Sequence, residues 1–452
     1  MASNGAMTLN LLGNLTNTNG KLASAGPLLL QRAAQVNNQG GQIVSQNLLS
    51  LFAGAIDNSQ HGTLAGTGSV AINASGAVQN NADGLIYSQG ADVQLRAAGL
   101  ANSRGVVQGQ NGLTLNISGD VDNQSGKLIA QTGDLTLNAN NLDNRGGTFA
   151  SLNGALQAQI VGVLRNGYDL NNNRQGGTVQ GQRLNLQAAM FDNYGGRVSA
   201  QGGDALVTTG NFDNRNGGLY ATGLVSVSGN DFDNSGDNDG QIAGQQIDLS
   251  LRGALNNRLG VVESQSTLKV SAASLDNGNG RLRALGNAGT TEFAIGGLLD
   301  NTNGVLETAN SNLILGAGSL QNVGGSVLHV GNGNFTIAPS NLNSVGGSLV
   351  TRGGLTIAQD TWTNSSVIQA GRLTVNVNTL NQTADGQLLA SSALTGTGEN
   401  WSTNGLIASD GSLDLHLGGT LNGAGRITSQ GDLSLSAAQL NLSNTASVAA
   451  AA

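Results

Sequence analysis

The stretch FDNYGGRVSAQGGDALVTTGNFDNRNGGLYATGLV, residues 191–225, states one phrase twice. A large apolar residue, Asp and Asn lead into glycine, a short alternating run and another glycine. Phe191-Asp192-Asn193 returns 21 residues on as Phe212-Asp213-Asn214, and 20 residues later as Phe232-Asp233-Asn234. A fixed period of this length marks a repeat architecture, because each unit is too small to bury its own apolar face.

Followed outward, the anchor recurs at Asn17, Asn38, Asn58, Asn80, Asn102, Asn123, Asn144 and Asn166 before Asn193 and Asn214. It continues through Asn234, Asn257, Asn277, Asn301, Asn322, Ser344 and Asn364, then decays to Gln382, Thr403, Gly423 and Leu442. The intervals run from 18 to 24 residues, except the 27 between Asn166 and Asn193.

Inside a repeat the apolar residues alternate. In GDLTLNANNL (133–142), Leu135, Leu137 and Ala139 point one way while Thr136, Asn138 and Asn140 point the other. Period two means strand, and the runs end at Gly or Asn, which accept turn geometry. Two longer strands and one short one per repeat, stacked about 4.8 Å apart on their copies, give an all-β parallel β-helix. About 20–21 rungs predict an elongated rod on the order of 100 Å. Residues 1–452 read as one continuous β-helix, with 1–8 and 446–452 flanking or capping it.

Stacking assigns the columns. The residue before the Asp/Asn pair (Leu142, Leu164, Phe191, Phe212, Phe232, Leu255, and on to Leu320, Leu342, Trp362, Trp401 and Leu440) forms an inward spine. The Asn column forms a ladder, each amide donating to one rung and accepting from the other. Asp at 122, 143, 192, 213, 233, 276 and 300 is placed outward, in solvent.

Composition agrees with such a chain and excludes several functions. Gly is 70 of 452 residues, charged residues only 10%, and polarity comes from Asn, Gln, Ser and Thr. A net charge of −8 with no Lys/Arg run lacks the basic footprint of a nucleic-acid partner. There is no cysteine, hence no disulfide framework and no thiol nucleophile. The longest apolar stretch, 48–56, is too short to span a bilayer, so no transmembrane segment is expected.

The unit LDNRGGTFASLNGALQAQ (142–159), with its variants FDNYGGRVSAQGG and LNNRLGVVESQSTLKV, resembles the haemagglutinin repeat of filamentous haemagglutinins. The same repeat occurs in the large exoproteins of two-partner secretion, including CdiA-type effectors of contact-dependent growth inhibition. The resemblance implies a right-handed β-helix shaft, secreted through an outer-membrane transporter to the surface of a Gram-negative cell. It implies a role in adhesion to a protein or glycan receptor, or in carrying a toxin. A monomeric rod with end-to-end contacts through its open edges is expected.

Candidate sites are few. Insertions in a solenoid map to surface loops. The long interval, RNGYDLNNNRQ (165–175), offers Arg165, Tyr168 and Arg174 as ligand contacts, although an ordinary loop tyrosine is the plainer reading of Tyr168. A second interruption lies at GNAGTTE, 286–292. Ser235, Asp237, Asp239 and Gly240 imitate part of a calcium loop, but Ile247 stands where the bidentate acid belongs. His61, His329 and His416 fall in distant rungs without zinc spacing. No metal, cofactor or catalytic residue is therefore expected. The rival reading is a polysaccharide lyase or hydrolase, a class that also uses parallel β-helices and would need carboxylates grouped with Arg or Lys on neighbouring rungs.

Overall fold

The computed structural model describes residues 1–236, 240–343 and 345–451. The chain divides into two compact units, Met1–Asp233 with Asp239–Ile242, and Asn234–Asn238 with Ala243–Ala452. Both are all-β solenoids of parallel strands, and the chain makes about 21 turns in all.

A rung of the first unit shows the plan. Its strands are Thr63–Gly66, Val70–Ala74 and Ala77–Gln79, two longer and one short, as the periodicity predicts. Each pairs in parallel with its equivalents above and below. Leu64 faces Ile43 and Ile86, Ile72 faces Leu51 and Leu95, and Val78 faces Ile56 and Leu100. Alternation decides the faces: Val70, Ile72 and Ala74 are buried while Asn73 is exposed. The second unit repeats this with Val261–Ser264, Leu268–Ala272 and Ser274–Asp276. In some rungs the second and third strands run on as one, as in Arg183–Asp192 and Asn312–Gln321. Ala2–Ser3 and Ser447–Ala450 are themselves strands, paired with Ala23-Ser24 and Arg426–Ser429.

The spine residues stack like on like. Phe191, Phe212 and Phe232 lie with ring centroids 4.6 Å apart and planes within 13°. Burying each such side chain contributes about 1.5–3 kcal/mol. Trp362 and Trp401 are fully buried, and their indole N–H groups donate to the carbonyls of Leu342 (2.9 Å) and Val377 (2.8 Å). Two spine positions differ from expectation. Leu320 is only half-buried, because the next strand, Phe335–Ile337, covers Leu313–Leu315 and then gives way to a 3-10 turn, Pro339–Leu342. Leu440 is 54% exposed, since it has Leu421 on one side and no rung on the other.

The Asn column is a ladder. In each rung the side-chain N–H₂ donates to the next Asn oxygen at 2.6–2.8 Å, from Asn17 to Asn214 in the first unit. The second unit carries the same chain of bonds from Asn234 to Asn322. Asn80 is representative: its Nδ2 donates to Asn102 Oδ1 (2.7 Å), to the Gly84 carbonyl (3.1 Å) and to the Val106 carbonyl (3.0 Å). From Asn38 on, these side chains are wholly buried. Glycine three or four residues later follows from the crowding: a Cβ on Gly126 would strike the Asn102 carbonyl and the Asn123 side chain.

The Asp column does more than face water. These carboxylates are half-buried, and those of Asp122, Asp143, Asp192, Asp213, Asp276 and Asp300 accept the backbone N–H two residues on, as in Asp122 to Gln124 (3.0 Å), Asp213 to Arg215 (3.1 Å) and Asp276 to Gly278 (2.8 Å). This Asx turn fixes the corner just before the buried amide. Below Asn364 the ladder loses its asparagines, and unpartnered buried oxygens collect there: Ser366 Oγ, Gln382 Oε1 and Thr403 Oγ1. Ser344, one column position, lies outside the described residues.

Asn123→Asp removes a donor and buries a charge, so it is expected to cost about 3 kcal/mol or more. Asn185→Asp, on an exposed strand face, is expected to leave the melting temperature within about a degree. Circular dichroism melts of the two variants check this. Gln382→Asn combined with Thr403→Asn should extend the ladder and raise the melting temperature.

Candidate functional site

The 27-residue interval becomes a hairpin laid on the stack. Tyr168–Asp169 pairs antiparallel with Gln175–Gly176, and the Tyr168 N–H donates to the Tyr194 carbonyl (3.0 Å) on the neighbouring rung. Asp169, buried at its base, accepts from Ser125 Oγ (2.8 Å) and from the Asn171 N–H (2.9 Å). Asn172 Nδ2 donates to the same Ser125 oxygen at 3.0 Å, so the loop is tied down at both ends of its turn.

The three residues singled out from sequence do not converge. Arg165 belongs to the strand Val163–Arg165 and stands in the Asp column, in register between Asp143 and Asp192. Arg174 sits exposed at the hairpin turn with φ of 56°. Only Tyr168 lines a recess, a pocket of about 180 Å³ shared with Arg197, Asn216, Tyr220 and Gln241. Its ring lies over Gly195, where φ is +72° and any Cβ would run into the ring. Tyr220 lies in the same way along Gly218.

Around that recess the side chains form one polar and aromatic surface. Tyr168 meets Tyr194 edge-on, with centroids 5.3 Å apart, and the Arg215 guanidinium lies 5.2 Å from the Tyr194 ring. Arg215 is held by Asp213 (2.7 Å), whose hydrogen bond keeps its pKa well above the ordinary value. Arg197 Nη1 donates to Tyr220 Oη (3.3 Å), which donates to Gln241 Oε1 (2.9 Å). Among the described residues Arg197 has no carboxylate partner. Sequence reading missed Tyr194, Arg197 and Tyr220. The signal was present: three of four tyrosines fall in residues 168–220, and the repeat places them on adjacent rungs.

Elsewhere the first unit carries a shallow groove of about 880 Å³ beside an outward column that includes Asn73, Arg96, Asn116 and Asn138. In the second unit, Arg283 bridges Glu263 (2.9 Å) and Glu307 (3.2 Å) on adjacent rungs. That is the kind of grouping an enzyme on this fold would need, here one guanidinium held between two carboxylates. No three His, Asp or Glu gather to hold a metal among the described residues. Asp237 and Asp239 of the calcium-like stretch lie outside the described residues.

His329 occupies a corner column filled on either side by Thr308 and Thr351. It is fully buried, bonded through Nδ1 to Thr351 Oγ1 (2.9 Å) and through Nε2 to the carbonyls of Asn310 and Ser311 (both 3.1 Å). Burial pushes its pKa down. The interruption at 286–292 packs here: Asn310 Nδ2 donates to the Gly286 (2.7 Å) and Ala288 (2.8 Å) carbonyls, while Thr291 Oγ1 donates to Asn310 Oδ1 (2.6 Å).

Parallel rungs, a buried amide ladder and outward columns of neutral polar residues define a β-solenoid built from haemagglutinin-type units. The chain belongs to the haemagglutinin-repeat family, which matches residues 2–87, 82–125, 124–160, 159–258, 237–303, 368–406 and 402–452. It is 29% identical over 368 residues to a protein named Toxin CdiA from Escherichia coli, covering 70% of this chain and 11% of that protein. It is 28% identical over 263 residues to a tRNA nuclease CdiA from Escherichia coli O6:K15:H31 (strain 536 / UPEC), covering 52% of this chain and 8% of that one. The chain thus spans about a tenth of the length of these relatives. No solved structure matches it. No described helix is long and apolar enough to cross a membrane.

His329 supplies a pH test of the interior. A histidine held neutral in the fold gains its proton on unfolding, so stability is full above about pH 6.5 and falls as the pH drops below it. One proton accounts for at most about 1.4 kcal/mol per pH unit. Between pH 7.5 and 5 the melting temperature of the wild type should fall further than that of His329→Thr; parallel curves would contradict the buried neutral ring.

Proposed function

We propose that this chain is a stalk segment of a large two-partner secretion exoprotein, carried through an outer-membrane transporter to the exterior of a Gram-negative cell. It projects a binding or toxin-bearing region away from that surface and is not itself catalytic. The observation that carries the reading is the recurrence of the haemagglutinin unit over residues 2–303 and 368–452, in a chain similar to part of two CdiA proteins. The physics suits the role. Each rung adds about 4.8 Å of length for some twenty residues, and its polar outer columns need no partner to be stable. The hairpin at 165–175, with Arg165, Tyr168 and Arg174, is the part that contacts a receptor, whether protein or glycan.

Joining Asn17 directly to Arg215 removes nine whole repeats in register. In the full-length exoprotein this deletion should shorten the surface filament by about 40 Å, seen by cryo-electron tomography, without stopping export. An unchanged filament length would overturn the stalk reading, as would release of sugar from a polysaccharide by the purified chain.

A further inference from the structure

We infer that the recess between Tyr168 and Tyr220 is a binding site for one acidic sugar residue, a uronic or sialic acid, with Arg197 taking its carboxylate. The inference deepens the adhesive part of the reading above and rests on it for its biology, not for its chemistry.

Three observations converge on this ligand. The first is the state of Arg197. Its exposed guanidinium makes one hydrogen bond, to Tyr220 Oη at 3.3 Å, and has no carboxylate within ion-pairing distance among the described residues. Nearby Arg145 and Arg215 are each clamped by the Asp two residues before them, at 2.6 and 2.7 Å. Arg197 follows the same turn but lies beyond the reach of its Asp, so its fork of donors is open to a bidentate anion.

The second is the aromatic frame. Tyr168 and Tyr220 both line the recess, each lying against a glycine whose missing Cβ makes room for the ring. At Gly195 the backbone is also left-handed, so a side chain there would be both strained and in collision with Tyr168. Rings fixed in this way offer flat apolar faces at low entropic cost, which suits the C–H face of a pyranose.

The third is size and polarity. About 180 Å³ is well under the roughly 300 Å³ that encloses a drug-sized ligand, and fits a single ring. Asn216 and Gln241 on its wall can exchange hydrogen bonds with hydroxyls. A phosphate site would instead require several cations or a nest of backbone N–H groups converging on one point. Arg197 is the single cation lining this recess among the described residues.

The test uses the purified chain with N-acetylneuraminic acid, D-glucuronic acid, neutral D-galactose and inorganic phosphate as probes, followed by protein-observed NMR and calorimetry. At least one of the two acids should bind with a Kd on the order of 1 mM, weakening with salt, while galactose binds at least about tenfold less well. Arg197→Gln should remove the preference for the acid, and Gly195→Ala should weaken binding by displacing Tyr168. Arg32→Gln, on an exposed strand face away from the recess, should change nothing. Circular dichroism confirms that each variant is folded. Binding of neither acid overturns the site, as do acid binding that survives Arg197→Gln and phosphate binding as strong as that of the acids. These outcomes leave the stalk untouched, since filament length is measured on a deletion that does not depend on the recess chemistry.

Discussion

A carboxamide has a direction, and in this protein that direction runs through the interior of each unit. An Asn inside the ladder, such as Asn80, accepts from the rung behind and donates to the rung ahead, and its second proton is shared between two backbone carbonyls. Each bond is worth only about 1 kcal/mol net, but leaving one buried amide unpaired costs about 1–3 kcal/mol. The ladder therefore acts on register more than on total stability. The aliphatic columns would tolerate a slip to another apolar residue; the amides would not. A slip of one residue would bring the Asp carboxylate, or the residue following Asn, into a buried column built for a neutral donor and acceptor.

Two further features follow from that column. Glycine past Asn residues such as Asn102 and Asn123 is demanded by the close passage of the preceding rung's carbonyl, so it recurs for a steric reason rather than for flexibility. The preceding Asp closes an Asx turn that delivers the amide to its place. Turn, amide and glycine are one device repeated, which leaves outward positions free to vary. The proposed recess lies among them, where the repeat is lengthened and where tyrosines fall on neighbouring rungs. The price appears at the far end, where Gln382 and Thr403 replace Asn and buried oxygens go without donors.

Much of this was legible in the chain. The period, the three strands per repeat, the inward Phe and Trp residues and the amide ladder all follow from spacing and alternation, because a solenoid converts sequence separation directly into spatial contact. Leu320 and Leu440 misled because the repeat gives no sign of a strand replaced by a 3-10 turn, nor of a rung with one neighbour. From the chain alone the half-buried Asp reads as a solvent group, because its backbone bond is local and leaves no periodic trace. At the candidate site Tyr168 was visible as an interruption, whereas Arg197 and Tyr220 looked like ordinary repeat residues. Their meaning depends on which carboxylate reaches which guanidinium, and that is a matter of ångströms rather than of pattern.

The amide column is most directly examined by hydrogen exchange of the asparagine side-chain N–H₂ groups in a chain labelled selectively with ¹⁵N-asparagine. Ladder amides such as Asn80, Asn102 and Asn123 should exchange as slowly as core backbone amides, while exposed Asn73 and Asn185 exchange at solvent rates. Ladder and exposed side chains exchanging alike would show that the column is wet, and that something else sets the register.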